Sequence, residues 1–153
     1  WLELGSYEGR SAIWTLANAL THPSSGITCV DMWGNMSSER RFDANLAAVH
    51  ETARVVKIKS HWRQALRQLQ GARFAGAYID ADHRAASVLS QSVLIWPLIE
   101  PGGIVIWDDY ELRPETGVIP VRTGVDAFLA AFEGKYQMLH KSWQVIVSKT
   151  SDA

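Results

Sequence analysis

The chain has 153 residues, 47% of them hydrophobic, enough to bury one core and too few to expect a second. Fifteen basic residues against sixteen acidic ones leave a formal net charge of −1, which excludes the electrostatic footprint of a nucleic-acid or anionic-membrane binder. No stretch approaches the roughly 18 apolar residues of a membrane span, and the single cysteine, Cys29, cannot close an internal disulfide. We therefore expect a single domain over residues 1–153, in the cytoplasm, with a small molecule as its partner. The chain opens at Trp1 without a methionine, inside what reads as a strand, so upstream sequence is expected. Composition is as compatible with a homo-oligomer as with a monomer.

Residues 2–5 form a strand stub, and residues 11–21 carry Ile13, Leu16, Ala17 and Leu20 at the i, i+3, i+4, i+7 spacing of one helix face. A second strand, 27–33, is apolar up to Asp31 and includes Cys29 as a core residue. The helix that follows, 39–52, has Phe42, Leu46 and Val49 on its stripe. Residues 55–60 read as strand three, 62–70 as a short helix and 74–81 as strand four. Residues 84–99 make the next helix, stopped by Pro101-Gly102-Gly103, and strand five, 104–107, runs straight into Asp108-Asp109. Val125, Phe128, Leu129 and Phe132 define a last helix ending near Gly134. Residues 136–140 and 143–148 then read as two strands across a tight turn, a link that permits an antiparallel hairpin and excludes a parallel crossover. The prediction is an α/β three-layer sandwich with one reversed strand.

Each strand-like run in the first two thirds ends in a carboxylate or a polar cluster: Glu3, Asp31, Ser60-His61, Asp80-Ala81-Asp82-His83 and Asp108-Asp109. In an open α/β sheet those ends share one rim, where ligands bind. The irregular stretch 111–122, with Pro114, Gly117 and Pro120, follows that rim and reads either as a substrate cover or as a plain connector. His22, His50 and His140 fall outside the rim.

Glu3-Leu4-Gly5-Ser6-Tyr7-Glu8-Gly9 leads into a helix, with Asp31 ending the next strand. Glycines let the chain turn sharply and let a ligand lie against bare backbone N–H groups, and a strand-end acid suits a ribose diol. A dinucleotide fingerprint wants G-x-G-x-x-G, whereas three residues separate Gly5 from Gly9 here, including Tyr7 and acidic Glu8. A diphosphate would meet a negative charge, so a cationic, phosphate-free nucleoside fits better.

Glu3-x-Gly5-x-x-x-Gly9, Asp31, Tyr78-Ile79-Asp80-Ala81-Asp82-His83 and Pro101-Gly102-Gly103-Ile104-Val105-Ile106-Trp107-Asp108-Asp109 together resemble a class I S-adenosylmethionine-dependent methyltransferase. Within that class the chain is similar to the metal-dependent catechol and caffeoyl-CoA type O-methyltransferases. The resemblance implies a Rossmann-like, mostly parallel seven-stranded sheet with the last strand antiparallel. It also implies S-adenosyl-L-methionine as cofactor, Mg²⁺ or another divalent cation, and a small hydroxylated acceptor. Relatives of this type use upstream helices to close over cofactor and acceptor.

On this resemblance Glu3, Gly5 and Tyr7 line the methionine end of the cofactor, Asp31 holds the ribose hydroxyls, and Gly9 and Asp80 also bind the cofactor. Trp33, Ser60, His61 and Trp62 border the adenine. Indoles do offer flat faces to a purine, although Trp33 and Trp62 read equally well as rim packing. Asp80, Asp108 and Asp109 form the implied metal set, in which convergent oxygens suit a hard dication, and the competing reading is a polar rim whose acids cap helices. The family pattern has Asp-Asn at Asp108-Asp109 and Lys at His83. His83 thus stands where the family places its general base, with Asp80 as the other catalytic residue. Alternatively Asp82 caps the helix while His83 points at solvent. Two further readings stay open: a catalytically silent S-adenosylmethionine-binding module, and a nicotinamide-dependent oxidoreductase. Tyr110, Arg113 and Arg122 flank the loop and suit an acidic or aromatic acceptor.

Overall fold

Strands and helices alternate in the computed structural model, which describes residues 1–113 and 120–152. They are β1 (Leu2–Leu4), α1 (Arg10–Asn18), β2 (Ile27–Asp31), α2 (Met36–Ala48), β3 (Val55–Lys59), α3 (Trp62–Gln68), β4 (Phe74–Ile79), α4 (Ala85–Ile95), β5 (Ile99–Trp107), α5 (Val121–Ala131), β6 (Tyr136–Lys141) and β7 (Val145–Lys149). Half of the expected cover over 111–122, residues 114–119, lies outside those described, and from Val121 the chain is already α5. No described helix is long and apolar enough to cross a membrane.

One sheet takes all seven strands in the order β3-β2-β1-β4-β5-β7-β6. β1 to β5 pair parallel, and β7 runs antiparallel to both β5 and β6. Only residues 142–144 join β6 to β7, so the hairpin anticipated from that short link is what reverses the last strand. The chain reaches β3 at one edge and returns through α3 to place β4 beside β1. Strand order therefore reverses between β1 and β4, and the carboxyl ends of that pair open the crevice where such sheets bind ligands.

Side-chain alternation divides the core between the two faces. Leu2, Leu4, Ile79, Val105 and Trp107 pack beneath α3, α4 and α5, while Ile27, Cys29 and Trp33 meet Ala12 and Leu16 of α1 and Phe42 and Leu46 of α2. Full burial of each such side chain contributes about 1.5–3 kcal/mol. Burial pushes the Cys29 thiol up to about 12, consistent with a core residue rather than a reactive one. Among the described residues the buried cluster on the second face lies over β1, β2 and β3. Tyr78, Ile106 and Ile146, side by side across β4, β5 and β7, stay partly exposed, and the two isoleucines belong to neither core cluster among the described residues.

Several boundaries differ from the pattern reading, α1 and α2 ending three and four residues early, and two of the differences have a clear physical cause. The helix predicted over 84–99 stops at Ile95 and passes into a single 3₁₀ turn, Trp96–Leu98, because Pro97 brings no N–H to a continuing α-helix. β5 begins at Ile99 instead of residue 104. Its register against β4 jumps from Phe74↔Ile99 to Gly76↔Ile104, so Pro101-Gly102-Gly103 is a bulge inside the strand and not a turn before it.

Candidate active site

Gly5 takes the chain out of β1 with φ +86°, and a Cβ on it would stand 1.9 Å from the Asp80 carbonyl oxygen. Only glycine lets the turn pass this close to the end of β4. The tips are knitted by main-chain bonds on both sides: Gly5 N–H donates to the Val30 carbonyl at 2.9 Å and Asp80 N–H to the Leu4 carbonyl at 2.8 Å. A cleft of about 560 Å³ opens over this junction.

At one end stands Asp31. Its Oδ2 accepts the Tyr7 N–H at 2.9 Å and its Oδ1 the Trp33 N–H at 2.7 Å, which leaves each oxygen further lone pairs toward the cleft. Tyr7 and Trp33 both adopt positive φ, 42° and 40°. The Trp33 indole Nε1 donates to the Tyr7 carbonyl at 2.7 Å, closing a ring of three bonds around the loop. The expected role of Trp33 as an adenine face is not what the structure shows. Its ring is 2% exposed and tilted against Phe42 at 4.8 Å, so the apolar layer between α1 and α2 takes it, and Trp33 braces the loop from below. Gly9 likewise does not line the cleft; it precedes α1 in a left-handed conformation, its Cα turned toward the Phe42 ring.

Ser60, His61 and Trp62 do line the cleft. His61 precedes α3 and its Nδ1 accepts the Arg63 N–H at 3.2 Å, the capping bond that starts the helix. Its ring stacks on Trp62 at 5.3 Å, and the buried Trp62 Nε1 has no hydrogen-bond partner.

Glu3 lies behind Gly5, fully buried and outside the cleft lining. Among the described residues no donor reaches either carboxylate oxygen with hydrogen-bond geometry. Burial raises its pKa to about 7; the nearby Ser6 and Ser11 hydroxyls temper this, and the charges of Asp80 and Asp31 add to it.

The other end is acidic. His83 Nε2 stands 3.1 Å from Asp80 Oδ1 and 3.5 Å from Asp109 Oδ2, and one donor atom from each of the three residues falls within 4.8 Å of the others. Burial raises the Asp80 pKa, with His83 opposing and Asp108 and Asp109 reinforcing. The Asp80 hydrogen bond raises that of His83 against its own partial burial, so the ring favours the imidazolium. His83 therefore does not simply point at solvent. Asp82 is not the cap of α4, which is Arg84 without a side-chain capping bond; it accepts the Arg84 N–H at 3.1 Å and pairs with its guanidinium, which holds the Asp82 carboxyl well below the usual range.

Asp108 departs from the expected metal set. Its Oδ2 accepts the Tyr78 hydroxyl and its Oδ1 the Asp109 N–H at 2.9 Å, so it is turned aside and does not line the cleft. Met32 and Arg84 line the cleft without having been expected there; Met32 directly follows the acid that ends β2, which was the available signal. Tyr110 is buried with its hydroxyl on Asp126, facing away from an acceptor role.

A sheet of this order, with acids at its β1/β4 switch point, defines a doubly wound α/β domain whose candidate ligand site is this crevice. Residues 2–110 match the family described as "Methyltransferase domain", and the chain belongs to that family. The O-methyltransferase TomG from Streptomyces achromogenes, involved in tomaymycin synthesis and solved with SAM, superposes with a TM-score of 0.78 at 21% identity, over 98% of this chain and 72% of TomG. An O-methyltransferase from Bacillus cereus, in complex with SAH, gives 0.75 at 22% identity over 97% and 73%. The SAH-bound methyltransferase PaMTH1 from Podospora anserina gives 0.74 at 16% identity over 98% and 71%. At these identities the likeness is one of fold. No curated protein matches the chain.

Proposed function

We propose that the protein binds S-adenosylmethionine in this cleft and transfers its methyl group to a hydroxyl of a small-molecule acceptor. The observation that carries the reading is the cleft at the β1/β4 junction, with Asp31 at one end, Asp80 and Asp109 at the other, and the Tyr7 N–H already engaged by Asp31. Three residues separate Gly5 from Gly9, which is not the G-x-G-x-x-G spacing of a dinucleotide loop and argues against a nicotinamide dinucleotide, whereas a cationic nucleoside suits carboxylates at both ends. The family membership and the SAM- and SAH-bound relatives of like fold support it.

When bound, S-adenosylmethionine supplies a methyl group made electrophilic by its sulfonium. Asp31 accepts the two ribose hydroxyls with the lone pairs that Tyr7 and Trp33 leave free. Ser60, His61 and Trp62 border the base. Gly5 and Tyr7 line the methionine end, with Glu3 beneath them; its pKa of about 7 lets a nearby ammonium or sulfonium draw it into its charged form. Asp80, His83 and Asp109 receive the acceptor hydroxyl. These three groups fit a divalent cation, which when bound lowers the pKa of a coordinated hydroxyl and fixes its direction. In the absence of a cation His83 is the available base, once it has given up the proton that Asp80 and Asp109 favour.

Calorimetry with S-adenosylhomocysteine should give saturable one-to-one binding that Asp31→Ala weakens. Absence of binding removes the reading. Binding without release of S-adenosylhomocysteine from S-adenosylmethionine, across catechols, phenols and sugars as acceptors, would leave a binding module in place of an enzyme.

A further inference from the structure

We infer that His83 is a metal ligand, so that the acidic corner is a mixed nitrogen and oxygen site of Asp80, His83 and Asp109 that selects a transition-metal dication over Mg²⁺. The inference deepens the proposed function and rests on it only for what the metal would serve.

Donors lying cis around an ion with bonds of about 2.0–2.2 Å stand about 3.0–3.5 Å apart. His83 Nε2 is 3.1 Å from Asp80 Oδ1 and 3.5 Å from Asp109 Oδ2, both within that range, and the three donor atoms lie within 4.8 Å of one another, so an ion would enter by drawing the two carboxylates in around the imidazole. The all-oxygen alternative is not assembled. Asp108 spends one oxygen on the Tyr78 hydroxyl and the other on the Asp109 N–H, and the Gln144 side chain reaches the same Tyr78 oxygen at 3.5 Å. Charge points the same way. Three carboxylates share this rim, yet among the described residues His83 is the only basic side chain within ion-pair distance of any of them, because Arg84 is engaged by Asp82.

The donor set decides which ion. Mg²⁺ takes oxygen ligands and keeps much of its water, whereas Co²⁺, Ni²⁺ and Zn²⁺ accept imidazole readily. All three side chains line the cleft, so the remaining coordination positions face the space where an acceptor oxygen would sit. A ligated His83 has its Nε2 lone pair committed and is then not the base.

The test uses metal-stripped full chain titrated with Co²⁺, by visible absorption and calorimetry, and separately with Mg²⁺, in wild type, His83→Asn and Asp108→Asn. Wild type should bind Co²⁺ at least about tenfold more tightly than Mg²⁺. His83→Asn should weaken Co²⁺ by on the order of 10–100-fold while moving Mg²⁺ by less than about threefold, and Asp108→Asn should leave both within about threefold. Wild type with Co²⁺ should also show a strongly shifted imidazole N–H proton resonance that His83→Asn lacks. Unchanged Co²⁺ affinity in His83→Asn, its loss in Asp108→Asn, or no Co²⁺ binding in wild type overturns the inference. S-adenosylhomocysteine calorimetry on the same samples keeps the two ideas apart. A protein that takes Co²⁺ through His83 but no nucleoside keeps the site and loses the proposed function, and the opposite pattern does the reverse.

Discussion

The two ends of the cleft are built by different means. Around Asp31 the main chain does the shaping: two backbone N–H groups hold the carboxylate, and the Trp33 indole ties the loop carbonyl in place. Around Asp80 and Asp109 the arrangement depends on side-chain charge, with His83 bridging two acids that repel each other. The first end is held by hydrogen bonds that need no ligand. The second changes its electrostatic character with a proton or a cation, so recognition rests on the main chain and chemistry on groups whose charge can be tuned.

Gly5→Ala should have the largest effect, because it strikes the junction both ends share. Its methyl group would meet the Asp80 carbonyl in a backbone conformation that L residues resist, for a loss of about 3–5 kcal/mol in urea unfolding. A loss under about 1 kcal/mol would mean the tips are free to part, and the comparison would dissolve. Asp31→Ala should next separate the ends, weakening S-adenosylhomocysteine by roughly 2–3 kcal/mol, about 30–150-fold, with no change in metal affinity. Equal damage to both ligands would show that the ends are not independent.

Glu3 sharpens the picture through pH. Its folded pKa of about 7 lies above the 4.5 of the unfolded chain, so between those values the folded state holds a proton that the unfolded chain releases. Stability therefore falls as pH rises from about 4.5 to about 7 and is level above. Glu3→Gln should flatten that slope and unfold later at pH 8 by about 2 kcal/mol, read from denaturant midpoints across pH. His83, with its pKa raised above 6.5, adds a decline of the same sign at higher pH as its pairing with Asp80 is lost. An unfolding curve of Glu3→Gln that keeps the wild-type slope would contradict the buried, unpartnered carboxylate. Trp33→Phe should be the mildest change, removing one bond to the Tyr7 carbonyl for about 1 kcal/mol of stability.

Sequence pattern was a good guide wherever one period or one short link decides the outcome. The three-residue connection before β7 admits only a hairpin, and the acids at Asp31, Asp80 and Asp109 sit at strand ends because apolar runs stop there. It failed where direction matters more than position. Trp33 and Trp62 both follow strand ends and both are buried, yet one packs against Phe42 away from the cleft while the other joins the opposite core cluster and still lines the cleft, and composition does not distinguish them. Asp108 and Asp109 are adjacent, but the positive φ of 58° at Asp109 sends their carboxylates different ways, with Tyr78 thirty residues earlier capturing the first. Pro101-Gly102-Gly103 looked like a turn because a bulge uses the same residues.

The half-filled second face carries a mechanical consequence. β6 is an edge strand, largely solvent-exposed, and its neighbour β7 shows Ile146 to a side where neither core cluster reaches. That flank leans on its ladder and on a single apolar layer, while β1 is gripped by two strands and packed above and below. Loosening should thus begin at β6 and travel inward, with amide protons there exchanging with deuterium well before those of Leu4, so the molecule frays from the side farthest from Asp31.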